Sequence, residues 1–321
     1  MEKYRKLLLI FLIIIILSCI LAPLVKISLD FMLEKIEFLA DSVDYENGTY
    51  DFGKVMRRIL MLAALIVFVI LRKSLGIGPL MALGLKMRSG CFRKFLSGFF
   101  MAVISLLIYY SLAILFGAWM IHIDFNSAGI ILSEISKYFL IACLIGFIEE
   151  LFFRGFVLQS FMKDMPIAIA VCATSAIYSV LHFLNTEVLV ARGFQVSVGF
   201  TTMSQFFKPL FLQFIENLPS SIGLFLVGVV LSYAFLLTKS LYLSIGLHSG
   251  WVFMMKADSL FLVRIREKYE WFFGNNNQLV TGFIIWGSLI CILFIIKKVY
   301  RNTHNSGSYL KSSGSGQNSF K

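Results

Sequence analysis

Apolar residues in this chain come in long unbroken runs, with the polar residues gathered between them. Eight runs are long enough to cross a bilayer as helices, which takes ~20 residues each. They fall at about 7–25, 56–73, 95–118, 137–161, 166–184, 222–238, 240–257 and 278–297. The pattern predicts an all-α fold, a polytopic transmembrane bundle of about eight helices. Lys239 and Ser240 predict a tight turn between the sixth and seventh. Residues 185–221 form a long connection whose stretch 202–216 reads either as an interfacial amphipathic helix or as a loop packed over helix ends.

Composition agrees with a membrane setting. The chain is 59% hydrophobic and 15% charged, with a mean hydropathy of +0.84. A soluble domain is nearer ~45–50% apolar and ~25% charged. The net charge of +11 does not mark a nucleic-acid binder, because the basic residues flank apolar runs as loop charges do. The five cysteines show no paired spacing and read as small hydrophobes. The first apolar run is too long for a signal peptide and has no small-x-small cleavage site, so it is expected to stay as a transmembrane helix.

Loop charges predict the orientation. Lys3, Arg5 and Lys6, then Arg72, Lys73, Lys86, Arg88, Arg93 and Lys94, then Lys297, Lys298 and Arg301 share one side if the spans number eight. The positive-inside rule puts that side, with both termini, in the cytoplasm. The loop 26–55 is rich in acids, among them Asp30, Glu34, Glu37 and Asp41, and fits the outside. The last outer loop, with Lys256, Arg264, Arg266 and Lys268, runs against the rule.

Within the fourth run stand Glu149, Glu150 and Arg154. Ionisable side chains at bilayer depth cost roughly 2.5–3.5 kcal/mol each on insertion scales and mark function by default. On a helix Glu150 and Arg154 share a face and can pair. Glu149 is rotated away from that pair by about 100°. A carboxylate outside the ion pair in an apolar site is a candidate general base. The bland reading is an ion pair that locks two helices; the second acid weighs against it. His182 and His248 lie on later apolar runs. At about 1.5 Å per residue, Glu149, His182 and His248 lie roughly 18, 24 and 12 Å from the cytoplasmic ends of their helices, close enough in depth to form one site. Small residues near them (Gly146, Gly155, Ala176, Gly246, Gly250) would allow close backbone approach. His122 and His304 are assigned no role.

These residues resemble the three motifs of the CAAX protease and bacteriocin-processing (Abi) family of intramembrane proteases. Glu149-Glu150-x-x-x-Arg154 is similar to its EExxxR motif, Tyr178-x-x-x-His182 to FxxxH, and His248 to the histidine of HxxxN/D. The resemblance covers about residues 75–260. It implies an intramembrane endopeptidase acting on a membrane-associated protein or peptide, of CAAX type or of pheromone and bacteriocin type. It implies that Glu149 and His182 activate a water, that His248 donates to the oxyanion, and that Glu150, Arg154 and Tyr178 orient these groups. A zinc-dependent version would use Glu149, His182 and His248 as ligands; without a His-Glu-x-x-His helix, no cofactor is expected. Tyr178 replaces the usual phenylalanine. Val252 stands where the family has Asn or Asp, which leaves Ser249 and Trp251 Nε1 as neighbouring donors and keeps a catalytically silent scaffold or bacteriocin-immunity protein as an alternative. A transporter would show repeats and broken helices, and neither is visible.

The expected organisation is N-terminal helices and outer loop over 1–74, a protease core over 75–260, a last loop and helix over 261–301, and a disordered cytoplasmic tail over 302–321. The expected setting is the bacterial inner membrane, with the lipid bilayer and a peptide substrate as partners and no nucleic acid. Nothing in the sequence bears on oligomeric state.

Overall fold

The structure, a computed structural model, describes residues 3–33, 35–36, 43–73, 78, 83–87, 89–122, 128–184, 186–213, 215–265, 269–274 and 279–312. Arg88, Glu34, Glu37, Asp41, Arg266, Lys268 and tail residues 313–321 lie outside the described residues. The helices are α1 (Lys3–Met32), α2 (Phe52–Leu71), α3 (Cys91–Leu115), α4 (Ala128–Glu150), α5 (Ile167–His182), α6 (Val198–Leu212), α7 (Leu218–Thr238), α8 (Tyr242–Ala257), α9 (Glu270–Phe273) and α10 (Phe283–Ser312). Helix α4 continues without a break through a π-helical segment, Leu151–Leu158, and a last turn, Gln159–Phe161. Four short strands, β1 (Thr49–Asp51), β2 (Trp119–Ile121), β3 (Leu189–Ala191) and β4 (Leu262–Arg264), form two antiparallel pairs, β1 with β3 and β2 with β4.

Each of the eight predicted spans falls on a helix. Among the described residues, five helices are long and apolar enough to cross a membrane: Leu8–Met32, Cys91–Leu115, Gly129–Phe161, Leu218–Thr238 and Phe283–Tyr300. Ile167–His182 is apolar but shorter. Helix α2 opens with Lys54, Arg57 and Arg58, and α8 has only 16 residues. The chain is an all-α, polytopic integral membrane protein. Lys239, at φ 49°, makes the turn between α7 and α8.

The chain divides into two compact units, one of Met1–Gly78 and Phe156–Phe225, the other of Pro79–Gly155 and Leu226–Lys321. In the first, α1 packs on α2 and α6. Cys19, Ala22, Phe52, Met56, Met203 and Phe206 are buried together there. Asp51 caps α2: its Oδ1 accepts from Gly53 N at 2.8 Å and also from Val188 N at 3.0 Å. Two expectations change in this unit. Helix α1 runs on through Met32, so Lys26 and Asp30, read as loop residues, form an i,i+4 pair inside it. The connection 185–221 contains α6, which starts at Val198. One face of α6 buries Thr202, Met203 and Phe206, while Phe200 and Phe211 are exposed. A Cβ on Gly199 would collide with the Cys19 backbone, so α6 lies tight on the middle of α1.

In the second unit α8 is the central element, with α3 and α4 packed against it. Every residue from Leu243 to Trp251 is buried. Close approach explains the glycines. A Cβ on Gly246 would run into the Phe95 carbonyl, and one on Gly250 would sit 2.6 Å from the Phe99 carbonyl. On the α4 side, a Cβ on Gly146 would meet Ser249 Oγ at 2.5 Å. Small residues are how membrane helices pack without a hydrophobic driving force between them. Here they fix the rotation of α8, and with it the direction of His248.

Candidate active site

Four of the singled-out residues belong to the second unit. Glu150 and Arg154 are fully buried and paired, Arg154 Nη1 donating to Glu150 Oε1 at 2.7 Å. Arg154 Nη2 donates to the Gly228 carbonyl of α7 at 3.1 Å. That carbonyl also accepts from Ser232 Oγ at 2.7 Å. The guanidinium stands 5.7 Å from the Phe153 ring. His248, 4% exposed, reaches Glu150 Oε1 through Nδ1 at 3.0 Å. Its Nε2 lies 3.7 Å from Glu149 Oε2. The glutamate side chain there is partly exposed, at 22%.

The order is therefore guanidinium, carboxylate, imidazole, carboxylate. Glu150 Oε1 accepts from both Arg154 and His248, while its Oε2 has no hydrogen-bond partner among the described residues. An ionised carboxylate only accepts, so Nδ1 of His248 carries a proton. The ring can then offer Nε2–H to another acceptor only as imidazolium. Charge counting allows this: a protonated His248 with Arg154 balances Glu149 and Glu150. The predicted i,i+4 pair is present. The widened π-helical turn that carries Arg154 was not legible, because no residue pattern distinguishes it from an α-helical run; such turns gather at functional sites.

His182 and Tyr178 belong to the first unit. His182 ends α5 and is half-buried. Its Nδ1 is 2.8 Å from the Tyr178 carbonyl, which can only accept, so Nδ1 carries the proton and Nε2 is the basic nitrogen. The Tyr178 ring, 2% exposed, lies 4.2 Å from the imidazole centroid. Tyr178 thus orients His182 twice, through its carbonyl and its ring. Ser179 on the same helix donates to the Ser221 carbonyl at 2.9 Å.

Of the two donors considered in place of Val252, Trp251 is already engaged: its Nε1 donates to Ser105 Oγ at 3.2 Å. Ser249 Oγ is buried against Gly146. Among the described residues no three His, Cys, Asp or Glu side chains are grouped so as to hold one metal ion. Glu150, buried completely, is held by Arg154 and is not one of the three residues a zinc version would use.

Residues 131–254 match the family model for Rce1-like proteins, described as type II CAAX prenyl endopeptidases. That segment is similar to the Rce1-like family. No curated protein and no solved structure matches the chain. The Rce1-like segment contains Glu149, Glu150, Arg154, Tyr178, His182 and His248, and stops just past Val252. Helices α1, α2 and α3, with strands β1 and β2, precede it. The Rce1-like family is one of proteases, and endopeptidase activity at that level is what the match supports.

Proposed function

We propose that the chain is an intramembrane endopeptidase that hydrolyses a peptide bond in a membrane-associated protein or peptide through a glutamate-activated water. The observation that carries this reading is the arrangement around His248, with Glu150 and Arg154 on its Nδ1 side and Glu149 on its Nε2 side. Glu149 is the general base, lying outside the ion pair and partly open to solvent. His182 enters through the sequence motif as its partner on the water; its Nε2 is the nitrogen able to accept. His248 donates to the oxyanion as imidazolium, its ring turned by Glu150. Arg154 holds Glu150 in place and compensates its charge. Such a preorganised donor is worth ~2.7–4 kcal/mol in a dry site.

The CAAX-type match points to a peptide whose C-terminal segment is lipid-anchored, which would enter the site from the bilayer. The proposed setting is a bacterial inner membrane with both termini cytoplasmic, from the basic loops. The proposed chemistry is metal-free: purified active protein should hold well under one zinc per chain. Stoichiometric zinc that follows activity through removal and re-addition would refute it.

A second reading has its own observation. Val252 replaces the Asn or Asp of the third motif, and the nearby indole is committed to Ser105. That favours a silent scaffold of the same fold. One experiment separates the two. The purified chain in lipid vesicles is given a prenylated C-terminal peptide, beside its Glu149→Gln variant. Cleavage by the wild type alone supports the protease; equal rates, or none, support the scaffold.

A further inference from the structure

The first unit contains a buried ionic cluster that the proposed reaction does not use. Lys26 of α1 is fully buried and uses its three donors. It reaches Asp30 Oδ2 at 3.0 Å, the Ala191 carbonyl at 2.9 Å and the Gly193 carbonyl at 2.8 Å. Asp30 accepts from Tyr50 Oη at 2.7 Å and Gly193 N at 3.0 Å. Burial, and then the bond to Asp30, push the Tyr50 hydroxyl well above the usual phenol range, so it stays a donor. The cluster joins α1 to β1 and β3, and β3 is the strand reached seven residues after His182.

The described residues between His182 and β3 are held at several further points. Val188 bonds to Asp51 Oδ1 and to Phe52 N, and β3 pairs with β1. Leu184 is buried in the cluster formed by Tyr50, Phe52 and Val190, and Leu181, in the last turn of α5, packs on it. Packing therefore runs from the Lys26–Asp30 pair to the turn that bears His182. Lys26, Asp30 and Tyr50 all lie before residue 131, outside the Rce1-like match.

We infer that Lys26, Asp30 and Tyr50 are positioning residues for His182, acting through β3. The physical need is plain. His182 is the last residue of its helix, where backbone ends fray. Its ring direction is set by a carbonyl four residues back. A terminal residue keeps a productive angle only if the chain leaving it is also fixed. The ionic cluster fixes that chain. This inference rests on the protease reading, with His182 acting on the water.

The test compares Tyr50→Phe and Lys26→Met with the wild type in vesicles, reading kcat, KM, melting temperature and amide exchange over residues 183–193. Tyr50→Phe removes one hydroxyl and should fold. Its kcat is expected to fall about tenfold, with KM within about twofold and faster exchange in that stretch. Lys26→Met strands Asp30, and where it folds it should lose about a hundredfold. A Tyr50→Phe variant with faster exchange and unchanged kcat would overturn the inference. So would a loss of kcat no larger than the loss of folded protein. A wild type without hydrolysis would overturn the protease reading and this one together, while a working wild type with equally fast variants overturns this one alone.

Discussion

Two buried ion pairs, each four residues apart on a helix, stand in the two units and are built differently. Lys26–Asp30 is saturated: the ammonium has three acceptors and the carboxylate three donors. Glu150–Arg154 ends on a histidine, and Glu150 Oε2 has no hydrogen-bond partner among the described residues. A saturated network has no capacity left and can only hold parts together. A pair that passes its charge to an imidazole, with a second carboxylate beyond, can respond when a substrate develops charge. Both break the rule against charge in membranes, and only the second does so in a reactive form.

The comparison can be broken most directly at Glu149. Glu149→Gln and His182→Ala are each expected to lower hydrolysis by about 10²–10⁴-fold. Melting temperature in detergent should change far less than in Arg154→Ala, because after Glu149→Gln the buried His248 keeps its bond to Glu150 and can shed its second proton, and His182 is only half-buried. Hydrolysis at the wild-type rate in Glu149→Gln would return the cluster to a structural role.

Arg154→Ala comes next. It leaves Glu150 buried without its cation and should cost about 3–5 kcal/mol of stability as well as activity. Thermal unfolding and turnover measured on one preparation check this; if both stay at the wild-type level, the pair contributes nothing. His248→Ala should lower kcat by about 10²–10³-fold with a smaller change in KM, as loss of an oxyanion donor does. A change confined to KM would instead make His248 a substrate contact.

The smallest expected effect is at a half-buried carboxylate. Asp258, just past α8, is held by a phenol instead of a cation, Tyr110 Oη donating to its Oδ2 at 2.5 Å. Burial pushes its pKa up from the usual value, against the Tyr110 bond. A raised folded-state pKa means that the fold prefers the protonated acid. That stabilisation is complete below the ordinary value of 3.8 and is lost as pH rises through the folded value. Asp258→Asn, which imitates the neutral acid, should therefore gain on the wild type as pH rises. A stability difference that does not vary with pH would show that the fold does not favour the protonated form of Asp258.

Much of the fold was legible because crossing a bilayer imposes a length and composition that any reader of the sequence can see. The eight apolar runs all became helices. The Glu150–Arg154 pair was legible from four-residue spacing alone. The extent of α1 was not. Lys26 and Asp30 look like the start of a polar loop, and it is the Ala191 and Gly193 carbonyls, from a distant segment, that complete the partners of a buried lysine there. The two alternatives for 202–216 could not be separated either, because a helix with one buried and one exposed apolar face has no amphipathic signature.

The sequence by itself determined the membrane class, the helix positions, the motif residues and the Glu150–Arg154 ion pair, since each depends on neighbours within a few residues. Tertiary structure decided the rest. It turned His248 so that Nδ1 meets Glu150 and Nε2 faces Glu149, through glycine contacts of α8 with α3 and α4. It committed Trp251 to Ser105, and it tied the strand after His182 to a lysine on the first helix. These depend on which surfaces of distant segments meet, and a linear sequence of residue types carries that only through packing.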